Sequence, residues 1–268
     1  MPSVIGLEMY AEGPVIMPPF TGHVARGLLL HMVRGVDPAL SGLLHEFNIS
    51  KPYSVTPLRF RSSGRGLGGY ILDPSFPCRV EFRLLRDELA DLLLRFFQRQ
   101  SSLLIYDTTF QLSSLRFKSK SYRELEREAK AADRFRLIFS SPTYLAVMSS
   151  KFNCLFPDPF RVFANLMRTW NHFTDARHFD KDEYEAYRSW LERNIGICEY
   201  KLRTRLAPMR KKRAVGFTGW ATYEMKDPES EWGRVTCTLA RYAEFANVGG
   251  NRTGGFGVVK FMPRMKAE

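Results

Sequence analysis

Apolar positions along the chain switch between a period of two and a period near 3.6, and each switch predicts a change of element. Residues 4–10 alternate as a strand. After breaks at Pro14, Pro18 and Pro19, Val24, Leu28 and Met32 share one side of a helix over residues 21–34. Asp37 and Pro38 supply an N-cap and a proline at the first helical position, opening a short helix that runs to about Phe47. Residues 51–60 are extended, with Pro52 and Pro57 suited to an edge. The glycine-rich run 64–69 predicts a turn or mobile loop. Residues 79–85 form a strand with Val80, Phe82 and Leu84 on one face. An amphipathic helix at 87–99, strands at 103–106 and 108–117, and a charged helical connector at 122–131 complete this half.

A second half starts with a strand at 134–139, closed by Ser141 and Pro142. Helices at 159–171 and 181–193, strands at 199–206 and 215–224, and a helix at 234–246 follow. A glycine loop and a last strand over 256–261 end the pattern. Each half reads β-α-β-β-α-β, with an additional helix after the first in each half, which is the split βαβ arrangement. The expected fold class is α+β: two tandem ferredoxin-like (split βαβ, RRM-like) domains over residues 1–130 and 131–268, without obvious sequence repetition.

Composition narrows the class. A hydrophobic share of 44% and an aromatic share of 13% are globular and exclude wholesale disorder. The formal net charge is +12. Residues 1–130 carry 17 basic and 13 acidic side chains, and residues 131–268 carry 23 and 15. A clustered basic excess points to a polyanion such as nucleic acid. Cys78, Cys154, Cys198 and Cys237 are scattered without a Cys-x-x-Cys pair, which disfavours a zinc ribbon or a disulfide scaffold and predicts free thiols in a reducing compartment. No basic-then-apolar leader opens the chain and no apolar run is long enough to span a bilayer, so neither a signal peptide nor a membrane is expected. The expected location is cytoplasmic.

Five glycines fall in nine positions between Gly249 and Gly257, with Arg252 among them. Glycine permits close approach of the backbone and can present amide N–H groups to an anion. Gly249, Gly250, Arg252, Gly254 and Gly255 are therefore candidate phosphate contacts. No Gly-Lys-Ser/Thr closes the loop and a strand rather than a helix follows, so it is neither a nucleoside-triphosphate loop nor a dinucleotide fingerprint. A second basic feature lies between residues 200 and 215: Lys201, Arg203, Arg205, Arg210, Lys211, Lys212 and Arg213, with no acid. Alternation puts the first three on one strand face. The run from Arg59 to Arg65 is a third basic candidate.

Five segments occur in a familiar order: Lys51-Pro52-Tyr53-Ser54-Val55-Thr56-Pro57-Leu58, Phe139-Ser140-Ser141-Pro142-Thr143, Phe156-Pro157-Asp158-Pro159, Gly216-Phe217-Thr218-Gly219-Trp220 and Gly254-Gly255-Phe256-Gly257. In this order and spacing the chain, from about residue 4 to 262, resembles the CRISPR-associated Cas six endoribonucleases. The resemblance implies two ferredoxin-like folds side by side, with RNA over a basic cleft between and across them. It implies cutting of precursor RNA within each repeat without metal or cofactor. The ribose 2′-hydroxyl attacks the adjacent phosphate and leaves a 2′,3′-cyclic phosphate and a 5′-hydroxyl. Repeat RNA is the expected partner, with other CRISPR-associated effector subunits and a second copy of the chain as further expected partners. A non-catalytic repeat-RNA-binding subunit of the same fold is the alternative, and a generic nucleic-acid chaperone is a third reading.

Such a reaction needs a proton carrier and a cation beside the crowded phosphate. In members of the family, a histidine and a lysine separated as His45 and Lys51 are, just ahead of the same extended segment, act together. The resemblance therefore assigns both residues a catalytic role. Where the family often adds a tyrosine from the preceding helix, this chain has Leu30, with His31 beside it as the candidate third group. The plain alternative for His45 is a surface histidine satisfied by Glu46 or a carbonyl; for His31 it is an ordinary residue on an apolar helix. His23 ranks lower, and His172 and His178 serve local structure. None of the five histidines has zinc-ligand spacing.

Overall fold

The computed structural model describes residues 1–46, 50–148, 150–209 and 212–263. The chain opens with β1 (Ser3–Ala11) and the two-residue β2 (Ile16–Met17), then α1 (Gly22–Val36), α2 (Pro38–His45) and β3 (Tyr53–Val55). A hairpin of β4 (Ser62–Gly66) and β5 (Gly69–Leu72) precedes β6 (Cys78–Leu84), α3 (Asp87–Arg99), β7 (Ser102–Ile105) and β8 (Thr108–Ser119). The connector α4 (Tyr122–Glu128) leads to β9 (Arg134–Thr143), α5 (Pro159–Phe173), α6 (Lys181–Asn194), β10 (Ile195–Met209), β11 (Lys212–Met225), α7 (Glu231–Ala246) and β12 (Val259–Pro263).

The strands form two larger sheets, ordered β3-β6-β1-β8-β7 and β10-β11-β9-β12. Numbered within its own split βαβ unit, each sheet runs second, third, first, fourth strand, so the halves share one topology. The α+β, doubled ferredoxin-like class is thus what the strand order shows. Helices cover one face of each sheet. In the first, Ile5, Leu7, Met9 and Phe82 pack with Leu29, Val33, Leu93 and Phe96. In the second, Phe135, Leu137, Phe139 and Tyr223 pack with Phe163, Met167, Trp170 and Tyr242. The alternate residues of β1, among them Val4 and Gly6, and of β9, among them Ile138 and Ser140, line a cavity of about 440 Å³ between the two sheets.

Several elements differ from the sequence expectation. Residues 64–69 contain the expected turn, at Leu67 and Gly68, but instead of a mobile loop it closes the β4–β5 hairpin, which pairs Ser62 with Leu72 and Gly66 with Gly69 and takes in β2 as a third strand. β9 does not stop at Ser141: it runs through Pro142 to Thr143. It tolerates the proline because Ser140, Ser141 and Pro142 lie in the gap where pairing with β11 skips from Phe139 to Thr143. The last strand starts at Val259, and Phe256 is fully buried, T-shaped against Phe20 at 4.9 Å. The short helix ends at His45; Phe47 lies outside the described residues.

Candidate functional site

α2 is placed by three local features. Asp37 accepts from the Leu40 amide at 2.9 Å, Pro38 fixes the first turn, and the Ser41 hydroxyl donates to the Leu30 carbonyl of α1 at 3.3 Å. Leu44 is buried, which leaves its neighbour His45 exposed at the end of the helix. The Lys51 ammonium donates to the Glu46 carbonyl and, at 3.5 Å, to the Leu43 carbonyl, which also accepts from the Glu46 amide at 3.2 Å. Lys51 thus lies against the residue next to His45. Desolvation lowers the Lys51 pKa, the Arg26 guanidinium adds to that, and Glu46 opposes it.

Arg26 was not singled out from the sequence, although it is the one charged side chain between Val24 and Met32. From α1 it acts on Lys51 and on Tyr53, whose phenol burial raises and Arg26 partly offsets. His31, five positions later, is turned about 140° around the helix from Arg26. It is exposed, with its ring edge-on to Phe96 of α3 at 6.4 Å. The group that joins Lys51 from α1 is therefore Arg26, and His31 sits apart, toward α3. His23 lies one turn before Arg26 and is half-buried.

The glycine loop docks against this same end of the first half. A Cβ on Gly22 would lie 1.9 Å from the Gly254 carbonyl, and one on Gly255, whose φ is +84°, would lie 2.8 Å from the Gly22 Cα. These glycines are required by one backbone pressing on another. The amides expected to face phosphate are taken internally. Gly249 donates to Asn165 Oδ1 at 2.8 Å, Gly250 to the Tyr144 carbonyl at 3.0 Å, Gly254 to the Asn251 carbonyl at 2.9 Å and Gly255 to the Arg252 carbonyl at 3.2 Å. Arg252 is half-buried and donates to the Ala246 carbonyl at 2.8 Å, capping α7; burial lowers its pKa, and Tyr242 opposes that. Asn247 ties the halves together: it donates to Val55 and Phe256 carbonyls at 3.2 and 2.9 Å and accepts from the buried Arg83 at 2.9 Å.

Lys201, Arg203, Arg205 and Arg213 are exposed on the β10–β11 hairpin. Arg210 and Lys211 lie outside the described residues, and Lys212 is described only in its backbone. The far end of the hairpin is anchored near the first half, because Ala207 joins Phe20 and Phe256 in a small apolar cluster. The hairpin, the glycine loop and the start of α1 thus converge. The cavity between the sheets is lined by five cations, Arg59, Arg83, Arg116, Lys118 and Lys260, against Glu81 and Glu244. This is the basic cleft, and apart from Arg59 none of its cations stood out in the sequence.

Two halves of one topology, closed over a basic cleft, define an α+β protein of the doubled ferredoxin-like class. Residues 137–259 match the family model described as CRISPR-associated endoribonuclease Cas6. The chain overlays a Cas6 product complex with a TM-score of 0.81 at 24% identity, over 98% of this chain and 99% of that one. It overlays Thermus thermophilus Cas6 with a TM-score of 0.72 at 24% identity, over 98% of each chain. A Cas6-related protein from Pyrococcus furiosus overlays over the full length of both chains, with a TM-score of 0.66 at 10% identity. No curated protein matches by sequence. The resemblance to the Cas six endoribonucleases is thereby shown, in sequence over residues 137–259 and in fold throughout. Among the described residues, no helix is long and apolar enough to cross a membrane.

Proposed function

We propose that the chain is an endoribonuclease that cuts CRISPR precursor RNA within its repeats, without metal, to release guide RNAs. In this reading the 2′-hydroxyl oxygen attacks the adjacent phosphorus, its proton passes to a base, the bond from phosphorus to the 5′-oxygen breaks, and that oxygen takes up a proton. The products carry a 2′,3′-cyclic phosphate and a 5′-hydroxyl. His45 carries a proton, and Lys51 with Arg26 offsets the charge that builds on the phosphate. The observation that supports this most is the Lys51 ammonium held at the end of α2, beside the exposed His45. On this reading residues 1–130 carry the cutting groups and residues 131–268 much of the RNA surface, and the protein works in the cytoplasm, where repeat transcripts are made.

Incubation with repeat RNA in EDTA tests the reading. Cut RNA with cyclic phosphate ends is the expected result. A shifted but intact RNA would replace the enzyme by a binding subunit of the same fold. The exposed strand cations carry a separate prediction. Replacing Lys201, Arg203 and Arg205 together by alanine lowers the slope of log affinity against log salt by about 2, since each phosphate contact to a single strand contributes about 0.7. A filter-binding salt series measures it, and an unchanged slope would remove this strand from the interface.

A further inference from the structure

On the helical side of the second sheet, a cavity of about 580 Å³ lies between α5, α6 and the segment after β9. Gly249 and Gly250 border it, so it lies beside the glycine loop but apart from His45 and Lys51. Arg161, Arg168 and Arg188 line it against one carboxylate, Glu185. Their pairing is unequal. Arg161 is matched by Asp158 at 3.2 Å, and Arg188 donates to both Glu185 oxygens at 2.9 and 3.0 Å. Arg168 is exposed and has no ion-pair partner among the described residues. The Arg188 guanidinium lies 4.6 Å from the Phe160 ring centre and 5.8 Å from that of Tyr184, so the wall offers flat π surfaces beside one free cation.

The bordering segment adds an apolar arm. Met148, which lines the cavity, is 89% exposed, and Phe152 further along is 83% exposed. Phe156 of the same segment packs edge-on to Tyr200 at 5.5 Å, next to Lys201 on the basic strand. One stretch of chain therefore runs from the cavity to the strand that carries the cations. Guanidinium and aromatic planes stack unpaired bases of any sequence, and a free arginine suits the phosphate attached to them. An acidic peptide would use the cation but not the flat surfaces.

We infer that this cavity is a second RNA subsite, taking an unpaired nucleotide of the bound transcript away from the cut bond, with its base against Arg188 and Tyr184 and its phosphate at Arg168. The inference rests on the reading of the chain as RNA-binding, and it adds a place where single-stranded RNA is gripped without regard to repeat sequence.

The test uses a decauridylate containing 4-thiouridine, cross-linked by light to the full chain and mapped by peptide mass spectrometry. Cross-links in the peptides holding Met148 or Tyr184 are expected. Arg168→Glu should weaken decauridylate binding about five- to tenfold, while Arg127→Glu, an equal charge change on the exposed face of α4, should shift it less than about twofold. If Arg168→Glu fails to fold, Arg168→Gln should still weaken binding measurably. Cross-links confined to β10 and β11, or equal weakening by the two charge reversals, would overturn the subsite. So would protection of Met148 from oxidation by an aspartate-rich peptide but not by decauridylate. Because decauridylate contains no repeat, a failure here leaves the cutting reading intact, and a failure to cut repeat RNA leaves this result standing.

Discussion

His45→Ala lowers the single-turnover cleavage rate of repeat RNA by about 10² to 10⁴, which is the range for losing a general acid–base group and corresponds to roughly 3–5 kcal/mol of barrier. Affinity should stay within about twofold, because phosphate contacts are made by many cations and His45 adds little to that sum. Stability should hardly change, since the imidazole is exposed at a helix end and surface substitutions usually stay within about 0.5 kcal/mol. That combination separates chemistry from binding and folding. Lys51→Ala should behave differently. It removes a cation from the site and also takes the Lys51 donor from the Glu46 carbonyl, while the Leu43 carbonyl keeps the Glu46 amide. Slower cutting should come with some loss of affinity and fraying of α2. Equal rates for His45→Ala and wild type, under single-turnover conditions, would take His45 out of the mechanism.

The elements legible in the sequence were those whose side chains alternate between a core and something else. β1, β6 and α3 put large apolar residues on one face, and their periodicity located them to within a residue or two. β4 has the sequence Ser62-Ser63-Gly64-Arg65-Gly66, which offers no apolar period, and its strand character comes from pairing with β5. β10 begins directly where α6 ends, at Ile195, and Gly196 just beyond it has the pattern of a helix stop followed by a loop, so the first four residues of the strand are not legible. The pair His45 and Lys51 was legible because six positions and one short connection hold it together. Arg26 reaches that pair through the packing of α1, which no local spacing encodes. The glycines illustrate a real ambiguity: close approach of backbone to ligand and of backbone to backbone demand the same residue. Here Gly22 and Gly255 serve the second, and the deciding contact joins positions more than two hundred residues apart.

Asn247→Ala should be the most destabilising single change among these residues, by about 4 kcal/mol. The side chain is fully buried. Its loss leaves the carbonyls of Val55 and Phe256 without this donor and the Arg83 Nη1 without its acceptor, and each unsatisfied buried group costs about 1–3 kcal/mol. Arg83 is the severest of the three, because burial already lowers its pKa, with Glu81 and Glu244 opposing that pull. The backbone supplies a control. Asn247 has φ +58° and ψ 170°, a region that side-chain-bearing residues occupy at a cost of about 1–3 kcal/mol. Asn247→Gly loses the same bonds but releases that strain, so it should be less damaging than alanine by about 1 kcal/mol or more. At about 2–4 °C per kcal/mol for chains approaching this size, alanine should lower Tm by about 10 °C and glycine by less. The same bonds hold the glycine loop against Val55, two residues beyond Tyr53, so cutting should fall along with stability, in contrast to His45→Ala. A Tm for the alanine variant within about 2 °C of wild type, or a glycine variant that melts below it, would mean that Asn247 does not clasp the two halves.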